Sequence, residues 1–209
     1  CRQKVPEQLM LMIKESDDFY TKPFANQENL QLAKQLLEKA EVTRSFKHVL
    51  TERMVEYCYF HEEQTRELDA WLISLNPGEL TKKTRVYLIE LCIIRGYSKE
   101  AFEYVSAYGS DGISPDLLLK MTVRRITETL YEYSETLVNL CVRLLQAEQV
   151  HETLLRYLCM HYVGPTQDMY NLLCAAYDAK ADSKDLAARV VTQMLFTGKI
   201  DHLEEAYEI

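Results

Sequence analysis

Turn-forming residues are scarce in this chain. Its 209 residues include 6 Gly and 5 Pro, about half the share that average usage supplies. Runs rich in Val, Ile and Thr with alternating polarity are missing as well, which excludes a fold built on half-buried strands. No apolar stretch approaches the roughly 20 residues of a membrane-spanning helix, because VYLI (86–89) and LCII (91–94) are interrupted by Glu90 and Arg95. The glycines are scattered, with no G-x-x-x-x-G-K and no G-x-G-x-x-G, so phosphate-loop chemistry is excluded. No C-x-x-C occurs among the six cysteines, and five of them sit inside apolar helical runs. Buried thiols of this kind act as small hydrophobes and fit a reducing cytoplasm rather than a disulfide scaffold.

What is present is helical. Apolar residues make up 47% and charged residues 27%, an ordinary globular balance. The few breakers (Pro23, Asn76-Pro77-Gly78, Gly96, the stretch 109–115, Gly164-Pro165 and Gly198) divide the chain into helical segments. These are expected at 6–20, 27–40, 43–60, 62–75, 79–95, 98–108, 115–132, 134–147, 150–162, 166–180, 184–197 and 200–208. Alternate segments begin at Thr43, Glu79, Pro115, Val150 and Lys184, and at Glu62, Ser98, Ser134, Thr166 and Ile200, in steps of 32 to 36 residues. A period of about 34 residues is that of stacked helical hairpins, none of which buries its apolar face alone. Leu30, Ala33, Leu36, Leu37 and Ala40 form one stripe of the segment 27–40, whereas 86–94, 137–145 and 154–163 are apolar nearly all round.

Two stretches carry a family resemblance. IIRGYSKEAFEYVSAYG (93–109) resembles the turn and second helix of a tetratricopeptide repeat, with Gly96 at the turn, Tyr97 after it and Glu100-Ala101 opening the next packing face. TGKIDHLEEAY (197–207) echoes it, and MYNLLCAAYDAKADSKDLAARVV (169–191) is similar to a pentatricopeptide hairpin. The resemblance implies an all-α, right-handed α-solenoid of about six antiparallel hairpins in a single domain over 1–209. The hairpins fall at 6–40, 43–75, 79–108, 115–147, 150–180 and 184–208, within a longer chain, and the expected setting is a bacterial, intracellular protein.

Charge selects among functions. QMLFTGKIDHLEEAY (193–207) reads as helix–turn–helix, but its second helix carries Asp201, Glu204, Glu205 and Glu208, and the chain has a net charge of −8. DNA reading is excluded, since nucleic-acid affinity comes from Lys and Arg displacing counterions, and RNA binding of pentatricopeptide type is disfavoured for the same reason. Cys58 and His61, three residues apart, and Cys159 and His161, two apart, are isolated pairs where a zinc site needs four ligands. They read as buried thiols beside helix-end histidines, and no cofactor is expected.

Two basic clusters, Lys82/Lys83/Arg85 and Lys120/Arg124/Arg125, read first as solvated faces balanced by Glu79, Asp116 and Glu128. Tyrosine is abundant, 14 of 209 residues, and its apolar body with a polar tip suits both repeat wedges and binding surfaces. The expected function is a non-catalytic scaffold holding a protein or peptide on a concave face, with Tyr108, Lys120, Arg124, Arg125, Tyr131 and Tyr133 as contacts. The alternatives are a structural or regulatory arm of a larger enzyme and an RNA binder.

Overall fold

In the computed structural model, residues 27–38, 43–128, 135–147 and 150–209 are described, and the chain divides into two compact units, Cys1–Leu91 and Cys92–Ile209. The described residues hold eleven α-helices and no strand. The expected segment 6–20 lies outside them.

The first unit contains α1 (Gln27–Glu38), α2 (Arg44–Phe60) and α3 (Asp69–Ser74), and α4 (Lys82–Arg95) begins there. Thr43 caps α2, its hydroxyl accepting from the Phe46 N–H at 3.4 Å, the preferred chemistry for a helix start. Leu30, Ala33 and Leu36 of α1 are buried as the stripe predicts, with Leu50 and Met54 of α2, and α1 packs on α2. Tyr59 of α2 stacks on Tyr87 of α4 at 4.4 Å and donates its hydroxyl to Glu90 at 2.6 Å. That bond satisfies a carboxylate that is otherwise buried.

One expected element is replaced. Residues 62–75 do not form one α-helix. A 3-10 segment runs Glu62–Leu68, with Thr65 at φ −119°, ψ 17°, before α3 begins. The buried Thr65 hydroxyl donates to the His61 carbonyl at 3.0 Å, offering the backbone a local partner that competes with the helical ladder. After α3, Asn76 accepts from the Gly78 N–H at 3.0 Å, with Pro77 between them. Arg85 clamps the turn through the Pro77 and Leu80 carbonyls at 2.9 and 3.1 Å.

The second unit contains α5 (Ser98–Tyr108), α6 (Pro115–Glu128), α7 (Glu135–Leu145), α8 (His151–His161), α9 (Thr166–Asp178), α10 (Lys184–Thr197) and α11 (Leu203–Glu208). Within it α6 packs on α5, α7 and α8; α7 packs also on α8 and α9; and α10 packs on α8, α9 and α11. Leu118, Met121, Leu140, Cys141, Leu154, Leu158, Leu172, Leu173 and Val190 form its core.

The expectation of all-round burial holds for α4, where Leu88 to Ile93 are six consecutive buried residues. It fails for α8. Arg156 and Met160 are exposed on that helix, as is Val163 just beyond it, because one side of α8 faces an open cleft.

Candidate functional site

Four of the six expected contacts fall on described residues; Tyr131 and Tyr133 lie outside them. Tyr108 is exposed at the end of α5, and Lys120 and Arg124 are exposed one turn apart on α6. Arg124 is engaged in packing. Its guanidinium donates to the Gly96 carbonyl at 2.9 Å and pairs with Glu128 at 2.6 Å, tying α6 to the turn between α4 and α5. Glu128 is the counter-charge expected for this cluster. Arg125 is half-buried, its guanidinium 4.8 Å from the centroid of the Phe102 ring, a cation–π contact joining α6 to α5. In the other basic cluster Lys83 pairs with the buried Glu56 at 3.2 Å and lies 5.4 Å from the Tyr87 ring centroid. The arginines of both clusters thus hold elements together.

The concave feature of the second unit is elsewhere. A cleft of about 710 Å³ opens between α8 and the start of α10, and another of about 530 Å³ lies between the ends of α7 and α9. His151 and Lys180 line both. Leu155 and Leu186 give the larger cleft an apolar floor, with Arg156 and Lys184 as basic lining and Glu152, Asp182 and Asp185 as acidic lining. Val142, Leu145 and Ala175 line the smaller one beside Gln146 and Asp178. His151 is the first residue of α8, and its Nε2 lies 2.6 Å from the Leu145 carbonyl oxygen. A carbonyl only accepts, so Nε2 carries the proton and Nδ1 is the ring nitrogen left over.

Lys180 has an unusual backbone. After α9 the Lys180 N–H bonds to the Tyr177 carbonyl and the Ala181 N–H to the Ala176 carbonyl, at 2.9 and 3.0 Å. This paired closure puts the intervening residue in the left-handed region, where glycine is the usual occupant. Lys180 has φ 57°, the one non-glycine residue at positive φ among those described. The end of α4 closes with the same pair of bonds, around Gly96 at φ 91°, and α10 ends on Gly198 at φ 70°. Lysine in this conformation costs of order 1 kcal/mol, so its side chain stands there at a cost to stability.

The larger cleft also holds Cys159. Burial pushes its thiol pKa up, Asp185 adds to this, and Arg189 opposes it. A thiol held protonated is a poor nucleophile. Among the described residues no three His, Cys, Asp or Glu gather closely enough to hold a metal ion, and Cys58, the sulfur of the one close pair in α2, is fully buried. The surroundings of Lys180 and His151 therefore offer charge, hydrogen bonding and an apolar floor. The clefts escaped the sequence reading because helix ends far apart in the chain build them. One signal was available: the α9–α10 turn reads Asp-Ala-Lys-Ala-Asp, without a glycine such as Gly96 and Gly198 supply after α4 and α10.

Residues 1–132 match the N-terminal part, and residues 134–209 the C-terminal part, of a family described as a family of unknown function (DUF5717). No curated protein and no solved structure matches the chain. The N-terminal match alone spans well over half of the sequence, and the chain belongs to the DUF5717 family.

Proposed function

We propose that this chain is a non-catalytic, tetratricopeptide-like α-solenoid segment that binds an extended peptide or a peptide-like segment of a partner protein. The observation that carries the reading is the pair of clefts sharing Lys180, whose lysine occupies a position where glycine is the more stable choice. A cation held at that junction suits a carboxylate of the bound segment, while Leu155 and Leu186 suit an apolar side chain beside it. In keeping with stacked hairpins, α6, α7 and α8 each pack on the next helix but one, the pattern of a repeat array. Tyr108 and Lys120 remain contacts of the proposal; Arg124 and Arg125 act by positioning α6. The net charge of −8 argues for protein over RNA.

The test is selection of peptides from a random display library on the whole chain, followed by calorimetry on the winners. The expected result is binding that weakens at least tenfold in Lys180→Glu and persists in Lys180→Arg. Equal affinity across the three proteins overturns the assignment of the site. Tight, salt-sensitive retention of mixed single-stranded RNA on a filter overturns the class of partner.

A further inference from the structure

A third cleft, of about 760 Å³, lies in the first unit between the start of α2 and the turn after α3. Its chemistry differs from that of the acidic chain around it. The first two turns of α2 bring Arg44, Lys47 and His48 to one wall, and Trp71, the chain's one tryptophan, stands in the lining with Leu75 and Leu80. Glu79 is the one acid among the described lining residues. Glu52, 3.7 Å from His48, accepts from the Thr81 N–H at 2.6 Å, which draws its charge toward that turn. Helix geometry leaves the Arg44 and Ser45 N–H groups without acceptors inside α2, adding partial positive charge at the same end. The volume lies within the roughly 300–1,000 Å³ of small-molecule sites.

We infer that this cleft binds a planar aromatic anion, its ring against Trp71 and its phosphate or carboxylate among Arg44, Lys47 and His48. A cation cluster alone would take any anion; the indole and leucines add selection for a ring. A nucleoside monophosphate and an aromatic acid share this chemistry. The inference is independent of the peptide reading, since its residues belong to the other unit.

Trp71 is also the reporter. Intrinsic fluorescence is titrated with AMP and with 4-hydroxybenzoate, using adenosine and inorganic phosphate as half-ligands, and heats of binding are measured in parallel. The expected result is saturable binding of at least one of the two anions, at least tenfold tighter than either half-ligand and weaker at higher salt. AMP alone binding assigns a nucleoside phosphate; 4-hydroxybenzoate alone assigns an aromatic acid. The Arg44→Ala/Lys47→Ala double variant, with Arg44 exposed and Lys47 half-buried, is expected to keep its circular dichroism spectrum and lose at least tenfold in affinity. The inference is overturned if neither anion saturates, if a half-ligand binds as tightly as the anion, or if the double variant binds unchanged.

Discussion

Lys180 holds a backbone conformation that Gly96 and Gly198 hold at the ends of α4 and α10. Removing its Cβ relieves the left-handed strain, so Lys180→Gly is expected to gain about 1 kcal/mol of stability in urea unfolding while losing affinity for the selected peptide. A loss on both counts would make Lys180 a structural residue only. Tyr59 offers a second single-residue test. Its hydrogen bond to Glu90, followed by burial and the Glu90 charge, pushes its pKa up from 10.0 to about 12. A pKa raised on folding adds stability that is complete below the unfolded value and is lost as pH rises through the folded one. Wild-type stability is therefore expected to fall between about pH 10 and pH 12 more steeply than that of Tyr59→Phe, as followed by urea midpoints against pH. Parallel curves would show that the bond to Glu90 does not govern this loss.

Element ends divide into those written in the sequence and those written in the fold. Thr43, Gly96 and Gly198 mark helix limits by their own chemistry, and α5 and α10 begin and end where the breakers place them. The 3-10 segment at Glu62–Leu68 was not legible, because Thr65 competes for a carbonyl only once it is buried. The roles of Arg124 and Arg125 were hidden for the same reason: a Gly96 carbonyl and a Phe102 ring, 28 and 23 positions away, become their partners by packing. The link between α8 and α9 is tighter than its sequence implies. A Cβ on Gly164 would lie 2.6 Å from the buried Tyr162 ring, and the Gly164 carbonyl accepts from Gln193 of α10 at 2.9 Å. Gly164→Ala is expected to destabilise the protein by about 1–3 kcal/mol in chemical denaturation; a cost near zero would mean that the ring swings away freely.

For the whole molecule, composition legibly forbade strands and long apolar spans. Among the described residues there is no strand and no helix long and apolar enough to cross a membrane. The three clefts were not legible, since each is assembled from separate helices and turns. If the hairpins form a repeat array, each depends mainly on its neighbours. Deleting residues 184–209 is then expected to leave the remainder helical with a lower urea midpoint, whereas collapse of all helicity on that deletion would describe one indivisible domain. The proposed function rests most directly on where a partner docks. Amide chemical shifts of the isotope-labelled chain, followed during titration with a display-selected peptide, locate that contact. The largest shifts are expected at His151, Arg156, Lys180 and Lys184. Shifts concentrated away from α8–α10 with these four residues unmoved would contradict the proposed function.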